Sequence, residues 1–130
     1  MPGAPNERGQ LVRVAIHGGE YMSEEVIDTI KEQIHENPIL LYMKGSPEAP
    51  QCGFSAQTVQ CLIACGERFA YVDILTNPEI RQTLPDYANW PTFPQLYVRG
   101  ELVGGCDIIT EMSQSGELER LIKEAVTAPE

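Results

Sequence analysis

Ile39-Leu40-Leu41-Tyr42-Met43-Lys44-Gly45-Ser46-Pro47-Glu48-Ala49-Pro50-Gln51-Cys52-Gly53-Phe54-Ser55 is the stretch that decides the fold. Its first five residues form an unbroken apolar run, the mark of a strand covered on both faces and therefore central in a sheet. Gly45, Ser46 and the two prolines then predict a loop. Beyond Cys52 a helix is expected to run to Gly66, with Val59, Leu62 and Ile63 turned inward. The order strand, loop, helix places Cys52 at a helix N-terminus.

Working upstream, Asn37-Pro38 ends a preceding helix whose buried stripe is Val26, Ile27, Ile30 and Ile34. Ser23 is placed to cap that helix, Glu24 and Glu25 favour its positive end, and Met22 is placed to staple onto Ile27. Residues 1–21, rich in Gly and Pro at both ends, read as a flexible N-terminal extension to a domain spanning 22–130. Downstream, Phe69 to Ile74 reads as a second strand, parallel to the first because a helix connects them. Asn77-Pro78-Glu79 opens a third helix. Phe93 to Val98, the turn Arg99-Gly100 and Glu101 to Val103 make an antiparallel hairpin. Gly104-Gly105-Cys106-Asp107 then leads into a helical pair holding Ile108, Ile109, Met112, Leu118, Leu121 and Ile122. The pattern predicts an α/β domain: a four-stranded mixed sheet flanked by about five helices.

Bulk composition narrows the function. A chain of 130 residues, 42% hydrophobic and 22% charged, is enough for one modest core. The formal charge is −10, and from residue 23 onward seventeen acids face seven bases. Such a surface repels phosphate backbones and anionic membranes, so neither nucleic acid nor membrane is expected as a partner. The N-terminus shows no signal peptide and no apolar run is long enough to span a bilayer, so the expected compartment is the cytoplasm. There the four cysteines are expected to be reduced. Cys61 and Cys65, one turn apart in an apolar helix, read as small semi-buried side chains.

Cys52 and Cys106 each sit beside glycine at the edge of an element. A thiol at a helix N-terminus meets unsatisfied N–H groups and the positive end of the dipole, which stabilise its thiolate. Lys44, ending the strand that feeds the same loop, adds a full positive charge. The second position of the motif is Ser55, so the internal disulfide of a Cys-x-x-Cys turn is excluded. In Trp90-Pro91-Thr92-Phe93-Pro94 a proline enters a strand, which predicts a cis Phe93–Pro94 bond and a Phe93 backbone left to pair with an extended peptide ligand. Gly104-Gly105-Cys106-Asp107 offers backbone N–H groups and a carboxylate, a set suited to a group carrying both a carboxylate and an amine; read without a ligand, it is equally a Gly-Gly turn with an Asp cap.

Lys44, Cys52-Gly53-Phe54-Ser55, Trp90 to Pro94 and Gly104 to Asp107, in this order and spacing, resemble a single-domain bacterial monothiol glutaredoxin of the Cys-Gly-Phe-Ser type, over about residues 23–126. The resemblance implies a thioredoxin-like fold with a cis-proline at Pro94. It also implies a glutathione groove: Lys44 and Arg81 for the glycyl carboxylate, Phe93 for the cysteinyl part, the Cys106 N–H and Asp107 for the γ-glutamyl end, with Gly53, Phe54, Thr92 and Gly105 beside them. It further implies a 2Fe-2S cluster bridging a homodimer through two Cys52 thiolates and two glutathione thiolates, which meets the four-thiolate rule. A BolA-like protein and apo iron–sulfur client proteins are the partners it implies. Cys61 and the N-terminal extension depart from the family's short members. The alternative function is glutathione-dependent disulfide reduction through Cys52, with Cys106 as a possible resolving thiol; enzymatic activity is expected to be weak at most. A zinc site on the four cysteines lacks the close pairs that structural zinc draws on.

Overall fold

The computed structural model describes residues 13–15 and 21–127. Its elements, in chain order, are β1 (Arg13–Ala15), β2 (Tyr21–Ser23), α1 (Glu24–Glu36), β3 (Ile39–Met43), β4 (Gly45–Ser46), β5 (Ala49–Pro50), α2 (Gly53–Ala64), β6 (Ala70–Asp73), α3 (Pro78–Ala88), β7 (Gln95–Val98), β8 (Glu101–Gly104), α4 (Cys106–Ser115) and α5 (Glu117–Thr127). The expected four-stranded mixed sheet is present, in the order β6-β3-β7-β8. β3 pairs parallel with β6, Leu40 opposite Ala70, and antiparallel with β7, Leu40 opposite Tyr97. β1 and β2 pair antiparallel beside α1; apart from them, the expected extension lies outside the described residues.

All five residues of β3 are buried, and the two-residue period of a strand sorts them into two cores. Ile39, Leu41 and Met43 join Val59 and Leu62 of α2, Ile109 of α4, and Leu118 and Ile122 of α5 on one face. Leu40 and Tyr42 join Ile30 and Ile34 of α1, Ile80 and Leu84 of α3, and Tyr97 of β7 on the other. Each of these aliphatic side chains withdraws enough surface to stabilise the fold by about 2 kcal/mol, which is why a run without polar relief sits only at the sheet's centre.

Two expectations are corrected. Ile63 is 53% exposed, not inward. α2 carries apolar residues around most of its circumference, and the face it buries runs through Ser55, Thr58, Val59 and Leu62 to Cys65, which leaves Ile63 outside. The stretch between β3 and α2 is not wholly a loop: β4 and β5 pair across Pro47-Glu48, closed by the Gln51 N–H donating to the Lys44 carbonyl at 2.8 Å. Gly45 makes that corner possible. It sits at φ +92°, and a Cβ there would stand 2.5 Å from the Ala49 carbonyl oxygen. The Asp73 carboxylate, at the end of β6, accepts the Gly45 N–H at 2.9 Å and ties the corner to the sheet.

Candidate functional site

The ends of β3, α2, α3 and α4 converge with the segment before β7. At the start of α2, Cys52 is the N-cap residue, with extended backbone (φ −155°, ψ 154°), and its sulfur accepts the Ser55 N–H at 3.4 Å. Ser55 is fully buried one turn on. Its Oγ lies 3.4 Å from the Cys52 sulfur and accepts the Lys44 N–H at 3.1 Å. With that lone pair engaged, the serine hydrogen is free to point at sulfur, and toward a thiolate the hydroxyl is the group that donates. Burial pushes the Cys52 thiol up. The Ser55 hydroxyl, the N–H groups of Ser55 and Phe54 and the charge of Lys44 outweigh it, so the thiol titrates below its ordinary value. Ser55, read from sequence only as the residue that forbids a disulfide, is thus part of what holds the thiolate.

Beside this sulfur opens a cleft of about 670 Å³. Of the residues expected to bind glutathione, Lys44, Phe54, Arg81, Thr92, Phe93, Gly105, Cys106 and Asp107 line it. Cys52, Gly53 and Pro94 do not; Cys52 and Gly53 directly precede the lining residue Phe54 in the chain, and Pro94 is buried. Lys44 and Arg81 make no ion pair among the described residues, so both charges face the cleft uncompensated. Phe93–Pro94 is cis, as expected, and β7 starts only at Gln95, so the Phe93 backbone lies outside the sheet's ladder.

The opposite wall is the start of α4. Its N-cap is Gly105, with no side-chain cap, so the first N–H groups, those of Cys106 and Asp107, have no partner within the helix. Asp107 is exposed in the first turn, and the Cys106 sulfur lies 3.9 Å from the Thr110 hydroxyl. A Cβ on Gly105 would stand 3.2 Å from the Pro94 carbonyl oxygen and 3.5 Å from Trp90 Nε1, so the cleft's two walls touch across this glycine.

Four lining residues carry no role in the sequence reading: Pro85, Trp90, Pro91 and Ile108. Trp90 and Pro91 stand inside the quoted motif. Ile108, placed among the apolar residues of the helical pair, is 38% exposed at the cleft, and Ile109 fills the core instead. Gln95 carries no role in the sequence reading either; it is fully buried behind the cleft wall. The signal that finds it is a polar residue opening an otherwise apolar strand, Gln95-Leu96-Tyr97-Val98.

Fold and site together define a thioredoxin-like protein built around one activated cysteine and a cationic cleft. A family model described as glutaredoxin matches residues 39–103. Glutaredoxin 4 of Escherichia coli (strain K12) is 76% identical over 98 residues, covering 75% of this chain and 85% of that relative. Glutaredoxin 4 of Haemophilus ducreyi is 68% identical over 103 residues, 79% of this chain and 96% of the relative. Among solved structures, reduced poplar apo GrxS14 superposes with a TM-score of 0.69 at 43% identity, covering 79% of this chain and 94% of that one. The chain belongs to the glutaredoxin family, as a monothiol member.

Proposed function

We propose that this protein binds glutathione in the cleft and carries a 2Fe-2S cluster between proteins, acting in iron–sulfur cluster assembly and transfer. The observation that carries the reading is a stabilised thiolate with no second ligand of its own. Ser55 occupies the second position of the motif, and no group of three or more His, Cys, Asp or Glu side chains able to hold a metal occurs among the described residues. A four-thiolate cluster then takes its other ligands from outside the chain: Cys52 of a second copy and the thiolates of two glutathione molecules.

The cleft suits that companion. Its volume falls in the roughly 300–1,000 Å³ range of small-molecule sites. Lys44 and Arg81 take the glycyl carboxylate, the Phe93 backbone pairs with the cysteinyl unit, and the Cys106 N–H with Asp107 receives the γ-glutamyl end. Gly53, Phe54, Thr92 and Gly105 complete the contact. Phe54, 63% exposed beside Cys52, gives an apolar rim on which the second copy closes. A BolA-like protein replaces one copy, apo iron–sulfur proteins receive the cluster, and the exchange takes place in the cytoplasm. No helix among the described residues is long and apolar enough to cross a membrane.

The lowered titration of Cys52 also supports a second reading, a glutathione-dependent oxidoreductase. The Cys52 thiolate attacks a glutathione mixed disulfide, forms a Cys52–glutathione disulfide and expels the client thiolate. A second glutathione thiolate then attacks that disulfide, releasing oxidised glutathione and the Cys52 thiolate.

One experiment separates them. Anaerobic treatment with iron, sulfide and glutathione yields a brown dimer with wild-type protein and a colourless monomer with Cys52→Ser. A wild-type preparation that stays colourless overturns the carrier reading, and robust disulfide turnover by that cluster-free protein establishes the reductase.

A further inference from the structure

The cleft wall formed by Trp90 to Phe93 has no secondary structure of its own, yet it must present backbone groups to a ligand at fixed positions. The Trp90 N–H ties its start to the Pro85 carbonyl at 3.0 Å, and its remaining support is one side chain behind it. Gln95 Nε2 donates both hydrogens into this wall, to the Trp90 carbonyl at 3.0 Å and the Thr92 carbonyl at 3.2 Å. Its Oε1 accepts the Tyr97 hydroxyl at 2.9 Å, which fixes the amide's orientation. Tyr97 is anchored in turn: its ring packs edge-on against Tyr42, with centroids 5.6 Å apart, and Tyr42 donates to Gln33 Oε1 of α1 at 2.7 Å. Burial, with a smaller contribution from Tyr87, pushes the Tyr97 phenol up to about 12, so it stays a neutral donor across the working pH range.

We propose that Gln95 is a positioning residue for glutathione: by fixing the carbonyls on both sides of Pro91, it holds the Phe93 backbone and Thr92 where the tripeptide's cysteinyl unit needs them. The inference rests on the glutathione-binding reading above and names the device that pre-forms its peptide-pairing edge. Two features set Gln95 apart from a buried amide that merely satisfies its neighbours. Both of its donors serve the residues immediately before Phe93, and none serves the sheet. The wall it holds meets Gly105 only at Pro94 and Trp90, while Pro91 and Thr92 are exposed, so without these two bonds the segment is free to shift from the position the ligand needs.

The test uses Trp90, the chain's one tryptophan, whose emission reports the wall directly. Glutathione is titrated into wild-type protein, Gln95→Met, which keeps the volume and removes the donors, and Tyr97→Phe, which keeps both donors. Gln95→Met is expected to lower glutathione affinity at least tenfold and to red-shift Trp90 emission, while the pH profile of Cys52 alkylation stays that of wild type. Tyr97→Phe is expected to stay within about threefold of wild type, since only the amide's orienting partner is lost. Equal affinity in wild type and Gln95→Met, with only the melting temperature reduced, shows a purely structural glutamine and overturns the proposal. Should Gln95→Met fail to fold, Gln95→Asn decides, because its shorter amide falls short of both carbonyls and must weaken binding in the same way. Wild-type protein that binds no glutathione overturns the underlying reading, and the proposal falls with it.

Discussion

Two helices begin at this cleft, each with a cysteine in its opening residues, and they use the same physics in opposite ways. In α2 the cysteine is the N-cap, so its sulfur lies over the helix's orphan N–H groups and accepts the one from Ser55. In α4 the cysteine comes one residue later, after a glycine cap that has no side chain to offer. The Cys106 sulfur meets the Thr110 hydroxyl rather than the helix's own N–H groups, and those N–H groups stay open toward the cleft. A one-residue offset in where the cysteine stands thus decides whether a helix N-terminus stabilises its own thiolate or waits for an anion from outside. One start stabilises a thiolate of its own, and the other leaves its first N–H groups uncapped beside the cleft.

The contrast breaks most severely at Gly105. Valine there places a branched side chain against the Pro94 carbonyl and the Trp90 indole, which already approach the position of a Cβ to 3.2 and 3.5 Å. Overpacking of this kind costs about 1–3 kcal/mol, and here the strain is relieved into the cleft. Gly105→Val is expected to lower glutathione affinity at least tenfold by calorimetric titration, with Cys52 alkylation at pH 7 unchanged. Were both to fall together, the two helix starts would not be separable.

Ser55→Ala cuts into the other side of the comparison with a smaller effect. It removes the hydroxyl that donates to the Cys52 thiolate and leaves the Ser55-position N–H in place. The loss of one hydrogen bond, about 1 kcal/mol, is roughly fivefold in alkylation rate at pH 7. The midpoint of the rate's pH profile moves up, toward that of a free thiol. The sign carries over to stability. Cys52 titrates lower folded than unfolded, so its contribution is complete above the unfolded thiol's value of about 8.5 and fades as pH falls through the folded value. The gain in melting temperature between pH 7 and 9 should therefore shrink in Ser55→Ala. An unchanged alkylation profile would mean that the serine only fills space.

How much of this was legible from residues alone follows from what each signal needs. β3 could be read because five apolar residues leave no other place than the centre of a sheet. Cys52, Lys44, the cis Pro94 and the α4 start could be read because each is a local rule about a strand end, a helix end or a proline. The short β4–β5 pair could not, because its prolines and Gly45 announce a turn and say nothing of the Gln51 to Lys44 bond that closes it. Ile63 misled because α2 is apolar nearly all round, and only the packing of α4 and α5 chooses its buried face. Ser55 and Gln95 were out of reach for a shared reason. Each acts through partners brought up by the fold, the Lys44 N–H in one case and the Trp90 and Thr92 carbonyls in the other, and no spacing in the sequence encodes those meetings.

Lys44 belongs to both sides of the comparison, which makes it the finest test of it. Its backbone N–H holds the Ser55 hydroxyl in the orientation that serves the thiolate, and its side chain lends charge both to Cys52 and to the cleft. Lys44→Gln keeps the first contribution and removes the second. Among the influences that lower the Cys52 thiol, the Lys44 charge ranks behind the hydrogen bonds from Ser55 and Phe54, and a partly exposed charge is weakened further by solvent and salt. The alkylation rate at pH 7 should therefore fall by no more than about twofold, less than in Ser55→Ala. Glutathione affinity should fall by roughly three- to fivefold at low salt, because a carboxylate in the cleft loses one of two cations, and the gap should narrow as ionic strength rises. The outcome that would merge the two helix starts into one site is the reverse order, with thiolate reactivity hit harder than ligand affinity. It would place the ammonium over the sulfur and leave the glycyl end of the tripeptide to Arg81 alone.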